Sequence, residues 1–214
     1  MMVTMTFLDL ARLRESALQR EPFEFVVVEK FLRDDAVPAL VEAFPHVVGH
    51  GSYPLTTVSS NPLFDRLVAE LEGEAMRRAI EETFAVDLGG RPTMITLRGY
   101  SDGKDGAIHT DSATKIITVL IYMNLEWHEA AGRLRLLTGP SDLADYVAEI
   151  PPLAGTMVAF RRSARSYHGH HAHVGQRRSI QLNWVTDSRV VRREIGRHRW
   201  SARFKALNPL RHSS

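Results

Sequence analysis

At Gly89-Gly90 the spacing of apolar residues changes, and the change restricts everything after it to strands. Before that point apolar side chains recur every three or four positions, the period of a helix face; after it they alternate, the period of a pleated strand. Leu10, Leu13 and Ala17 share one helical face within residues 9–19, and Leu40, Val41 and Phe44 do so within residues 34–44, until Pro45 stops the run. Asn61-Pro62 reads as an N-cap followed by proline at the first helical position, opening a long helix with Leu63, Leu67 and Leu71 on one face. Residues 23–28 are the exception, a β-branched and aromatic strand. Beyond Gly90 the strand candidates are residues 93–100, 115–123, 132–137, 156–160 and 178–185, separated by clusters of Gly, Pro, Asp and Ser. The simplest arrangement is mainly β with flanking helices (α+β): an antiparallel, two-sheet jelly roll, the cupin-like double-stranded β-helix, with the N-terminal helices packed on its outer face.

A chain of 214 residues is most simply one domain, with a helical part over about residues 1–90, a jelly-roll core over 91–187 and a basic helix over 188–210. The absence of cysteine excludes disulfides, thiolate metal sites and cysteine nucleophiles, so a metal here is held by His, Asp or Glu. The first residues lack a basic leader and a long apolar run, and no later stretch reaches membrane-spanning length, so the expectation is a cytoplasmic protein without membrane partners. From Arg189 onward eight Lys/Arg face one Glu, a concentration that invites comparison with a nucleic-acid arm. Val191, Ile195, Trp200, Phe204 and Leu207 fall mostly at helical spacings, however, and argue for a docked amphipathic helix with arginines as its solvated face rather than a nucleic-acid partner.

His109 and Asp111 lie at i and i+2, so on a strand both side chains leave the same face, close enough to share one ion. A distant histidine completes a set of two imidazoles and a carboxylate, which leaves three positions of an octahedral metal open and suits Fe(II) and oxygen. Histidines 168, 170, 171 and 173 all compete for that place.

The order Tyr100…Gly103…His109-x-Asp111, Gly132-Arg-Leu-Arg-Leu-Leu137, Gly155-Thr-Met-Val-Ala-Phe160, Ser166-x-His168 and Arg178…Trp184 resembles the Fe(II)/2-oxoglutarate-dependent dioxygenases, most closely their prolyl-4-hydroxylase-like branch. The resemblance spans about residues 94–185 and implies Fe(II), 2-oxoglutarate and O2 as cofactor and cosubstrates, with ascorbate as an optional reductant. It places the second histidine within Ser-x-His, hence His168, with His170 next in line. It also implies an arginine for the 5-carboxylate of 2-oxoglutarate, a task that suits the planar guanidinium fork. Arg178 shares strand parity with Ile180, Leu182 and Trp184 and is preferred on that ground; Arg177 with Ser179 fits the family's Arg-x-Ser pattern and stays open. Tyr100 is expected to hydrogen-bond the cosubstrate and Trp184 to wall the site, each against the alternative of a strand or core aromatic; Thr118 and Tyr122 are further candidates for the pocket.

The activity so implied is oxidative decarboxylation of 2-oxoglutarate to succinate and CO2 coupled to hydroxylation of an unidentified small molecule or protein side chain. The carboxylate at position 111 leaves no vacant ligand site for a halide, which favours hydroxylation over halogenation. Two alternatives are a cupin-like metalloenzyme that does not use 2-oxoglutarate and a non-catalytic barrel that binds metal or 2-oxoglutarate. No peptide-binding feature is recognisable in the sequence, so prolyl specificity does not transfer with the fold.

Overall fold

The structure, a computed structural model, describes residues 6–47 and 49–192. Its first third is helical. Helix α1 (Leu10–Glu15) starts where the Asp9 carboxylate accepts the Arg12 backbone N–H at 3.0 Å, and α2 (Val37–Glu42) starts with proline in its first turn. The helix expected after Asn61 is two helices, α3 (Pro62–Leu71) and α4 (Glu74–Phe84). Asn61 caps α3 as expected, accepting the N–H groups of Leu63 and Phe64 at 3.1 Å each. The break falls at Gly73, which is extended and packs against the end of α3. A Cβ there would lie 3.1 Å from the carbonyl oxygens of Ala69 and Glu70.

Among the described residues nine strands follow or interleave: β1 (Phe25–Val28), β2 (Tyr53–Pro54), β3 (Thr93–Ser101), β4 (Lys115–Tyr122), β5 (Leu134–Leu137), β6 (Tyr146–Ile150), β7 (Met157–Arg161), β8 (His168–Gly169) and β9 (Gly175–Val185). They form a six-stranded sheet in the order β1-β7-β4-β9-β3-β2 and a three-stranded sheet in the order β6-β5-β8, every pair antiparallel. This is the expected jelly roll. Strands β2, β6 and β8 carried no sequence signal: β2 and β8 have two residues each, and β6 begins with the exposed neighbours Tyr146 and Val147, which erase its alternation. Residues 188–192 are helical, whereas Trp200, Phe204 and Leu207 of the expected basic helix lie outside the described residues. No helix among the described residues is long and apolar enough to cross a membrane.

The pleat of β9 divides the molecule. Ile180, Leu182 and Trp184 join Ile95 and Leu97 of β3, Val119 and Ile121 of β4, and Leu67, Leu71, Ile80 and Phe84 of the helices in one apolar cluster. The opposite face, Arg177, Ser179, Gln181 and Asn183, looks into the space between the sheets. Part of that space is filled by a second apolar cluster that includes Phe25, Tyr122, Leu134, Leu136, Val158 and Phe160.

The two sheets are stitched together beside β8. His109 and His168 exchange both backbone hydrogen bonds at 3.0 Å, so the loop after β3 is pinned to the small sheet. Close approach needs glycine: a Cβ on Gly169 would lie 2.8 Å from the Gly106 carbonyl oxygen, and one on Gly106, at φ +101°, would overlap the His170 carbonyl. Gly169→Ala is therefore expected to destabilise the protein by roughly 1–3 kcal/mol, the usual cost of overpacking against atoms that cannot yield. Gly103→Ala, with nothing within 4 Å of the new Cβ, is the control. Denaturant midpoints of the two variants that match each other would refute this account of the contact.

Candidate functional site

The bridge between His109 and His168 sets their imidazoles 4.3 Å apart, centre to centre. His109 Nδ1 donates to the Ala107 carbonyl at 2.9 Å and His168 Nδ1 to the Ser166 carbonyl at 3.0 Å. A carbonyl only accepts, so each Nδ1 carries a proton, and Nε2 is the nitrogen that each ring can offer to a ligand. His168 is neutral: burial first, and then the neighbouring His109, push its pKa down to about 4. Asp111 supplies the third group, and the ligand atoms of the three residues lie within 4.8 Å of one another. His109 and Asp111 do not sit on a regular strand as expected; His109 makes a single bridge and Asp111 lies in the extended segment before β4.

Asp111 is buried yet ionised. Burial acts to raise its pKa, but the ammonium of Lys115 and the nearby His168, together with hydrogen bonds from Lys115 and Thr118, outweigh that penalty and hold it below the usual carboxylate range. Lys115 Nζ reaches Oδ1 at 2.7 Å, and Thr118 Oγ1 donates to Oδ2 at 2.5 Å. Two imidazoles with one nitrogen of each tied to a carbonyl, plus a carboxylate oriented by a hydroxyl, fit the donor set and supporting shell that an Fe(II) site with open positions requires.

Two cavities share this centre. The first, of about 380 Å³, is lined by His109, Asp111 and His168 together with Arg98, His170 and Arg177. Arg177 is 5% exposed, donates through Nε to the Gly132 carbonyl at 2.8 Å, and lies with its guanidinium carbon 5.4 Å from the centre of the Tyr122 ring. Burial lowers its pKa, against the opposing pull of Tyr122 and Asp105, and the Asp105 carboxylate is itself committed to Arg98 at 2.8 Å. Tyr122 is fully buried beside the Arg177 guanidinium, and burial pushes its phenol pKa up against the pull of that cation. Gly132 itself is fixed by an insert: at φ +76° it packs where a Cβ would lie 2.6 Å from the Trp127 ring, and its N–H bonds the His171 carbonyl at 3.0 Å.

The expectations for the arginine and the aromatics need correction. Arg178 does not face the cavity; its guanidinium carbon lies 5.8 Å from the Phe44 ring centre, on the helix side of the sheet. Sharing parity with Ile180, Leu182 and Trp184 put it on the wrong face, because the apolar side of β9 packs against helices and the polar side lines the cavity. Trp184 is 1% exposed in the helix-facing core and walls nothing. Tyr100 is 41% exposed and outside both linings, displaced by a register shift in β3 between Arg98 and Tyr100. His170 lines the cavity but does not converge with His109 and Asp111. The roles of Arg98, Lys115, Gln181 and Asn183 had no sequence motif; the polar alternation Arg177, Ser179, Gln181, Asn183 was the available signal. The remaining convergent set among the described residues, His50, Asp102 and Asp105, is partly committed, with Asp105 paired to Arg98 at 2.8 Å.

Comparison with known proteins gives a consistent picture. The profile of the 2OG-Fe(II) oxygenase superfamily matches residues 95–186. Among solved structures, a Pseudomonas putida prolyl-4-hydroxylase superposes with a TM-score of 0.56 at 20% identity, over 76% of this chain and 92% of that one. A prolyl 4-hydroxylase from Phytophthora capsici gives 0.59 at 17% identity, over 85% of this chain and 66% of its own. HygX from Streptomyces hygroscopicus, solved with nickel and 2-oxoglutarate bound, gives 0.52 at 11% identity, over 75% and 82%. At these identities the likeness is one of fold. No curated protein matches the sequence.

Replacing Thr118 by the isosteric Val removes the hydroxyl that orients Asp111 while keeping the shape of β4. Loss of such a partner typically weakens metal binding roughly ten- to hundredfold. Titration of the variant with Fe(II) or Co(II) is expected to show that loss with an unchanged circular dichroism spectrum. Wild-type affinity would mean that Thr118 does not support the carboxylate.

Proposed function

We propose that this chain, whose residues 95–186 match the profile of the 2OG-Fe(II) oxygenase superfamily, is a working Fe(II)- and 2-oxoglutarate-dependent oxygenase that hydroxylates its substrate with release of succinate and CO2. The observation that carries the reading is the placement, around one cavity, of three convergent ligands and a buried arginine with no carboxylate of its own. His109 Nε2, His168 Nε2 and one oxygen of Asp111 would hold the iron. When bound, the iron and 2-oxoglutarate supply the activation of O2 that makes hydroxylation of an unreactive carbon possible.

The protein's own part is positional and electrostatic. Lys115 and Thr118 keep Asp111 ionised and fix its rotamer, so the ligand set is assembled before metal arrives. Arg177, held in place by the Gly132 carbonyl and backed by the Tyr122 ring, is the anchor for the distant carboxylate of 2-oxoglutarate, a charge-assisted contact strengthened by its burial. A metalloenzyme without 2-oxoglutarate has no use for that anchor, which disfavours the cupin-like alternative.

Anaerobic addition of Fe(II) and 2-oxoglutarate is expected to produce the metal-to-ligand charge-transfer absorption of a bidentate 2-oxo acid. His109→Ala, Asp111→Ala and His168→Ala are each expected to abolish it in folded protein. Arg177→Met is expected to weaken 2-oxoglutarate binding by roughly ten- to hundredfold, the worth of a hydrogen bond to a charged group, and Arg178→Met to leave it near wild type. A band that survives His168→Ala, or equal effects at the two arginines, would overturn the assignment.

A further inference from the structure

Beside the cavity that holds Arg177 lies a second, of about 350 Å³, which meets it at His109, Asp111 and Lys115. Its own wall sets the hydroxyls and amides of Thr110, Ser112, Thr114 and Asn183 beside the apolar Met94, Val185 and Val190, while Thr96 and Gln181 line both cavities; no Phe, Tyr or Trp lines either among the described residues. The size is at the low end for a ligand pocket and suits a metabolite rather than a folded partner.

Two groups in this lining lack something. Asn183 is fully buried; its amide oxygen accepts from Gln181 Nε2 at 3.2 Å, while its amide nitrogen has no partner among the described residues. A buried donor without an acceptor costs about 1–3 kcal/mol, so it is a place where a ligand atom gains more than an ordinary hydrogen bond. Lys115, with a side chain 15% exposed, has Asp111 as its partner. If Asp111 gives charge to a divalent metal, that ion pair weakens and an ammonium is left facing the cavity beside a second cation. With Arg177 matched to the cosubstrate and Arg98 paired to Asp105, Lys115 is the one Lys or Arg in the second lining among the described residues, and metal binding would leave it short of charge.

We infer that the second cavity seats the primary substrate and that this substrate is a small hydroxylated carboxylic acid. Its carboxylate is received by Lys115, and its hydroxyls by the Asn183 amide and the threonine-rich wall. The inference rests on the Fe(II)/2-oxoglutarate reading only for the release of Lys115 from Asp111. A capped proline, mostly apolar and uncharged, leaves both groups unsatisfied, and the lining offers no aromatic surface for its ring.

The test uses the full chain with Fe(II) and 2-oxoglutarate under anaerobic conditions and three probes: D-gluconate, its uncharged counterpart D-glucitol, and N-acetyl-L-proline methylamide. Perturbation of the charge-transfer band and the shift in melting temperature are read together. D-Gluconate is expected to perturb the band and raise the melting temperature, binding roughly tenfold or more tightly than D-glucitol, as a charge-assisted contact requires. Lys115→Gln should erase the preference for gluconate. Met94→Trp, which fills this cavity from a residue outside the lining of the other, should erase binding of both; Thr114→Trp serves if that variant does not fold. An intact band with no response to gluconate, an undiminished response in Lys115→Gln and Met94→Trp, or a response confined to the proline probe overturns the inference and leaves the oxygenase reading standing. A missing band with a Lys115-dependent gluconate shift does the reverse.

Discussion

Everything in the site depends on the pair of backbone hydrogen bonds between His109 and His168. Each residue comes from a segment with little regular structure of its own, a loop after β3 on one side and a two-residue strand on the other. Exchanged N–H and C=O groups fix the separation and tilt of the two imidazoles more firmly than side-chain packing alone would. Glycines at 106 and 169 are what allow the segments to approach, and the tautomers follow from carbonyls of the same two segments. The relative placement of the two imidazoles is thus a backbone property of this fold.

The second organising fact is that the jelly roll is turned polar side in. In many sheets the apolar face marks the interior, and that habit of reading placed Arg178 in the pocket. Here the large sheet has two interiors. The N-terminal helices bury its apolar face, and the small sheet covers a face that is partly apolar and partly lined by Arg177, Ser179, Gln181 and Asn183. Strand positions were legible because alternation survives either orientation. Orientation itself was not, because it depends on which layer covers which face.

His109, Asp111 and His168 were legible for a different reason: ligand chemistry restricts residue type, and the order of the motifs restricts position. The residues that support them obey no such restriction. Thr118 acts on Asp111 across seven positions, and the Arg177 anchor is held by a glycine carbonyl, to which any residue type could contribute a C=O. Tyr100 shows the converse, a side chain whose spacing fits a pattern but whose strand slips register just before it.

That glycine carbonyl ties the anchor to a remote stretch of chain. Gly132 stands at the end of the insert that carries Trp127 and Glu129; Trp127 Nε1 bonds the Ala131 carbonyl at 3.1 Å and Glu129 pairs with His173 at 2.9 Å. The insert makes no hydrogen bond to His109, Asp111 or His168 among the described residues, yet the Gly132 carbonyl at its end holds Arg177 Nε. If Arg177 is the cosubstrate anchor proposed above, substitutions in that loop would alter cosubstrate affinity, so related chains living at different 2-oxoglutarate concentrations could retune one site from a distance.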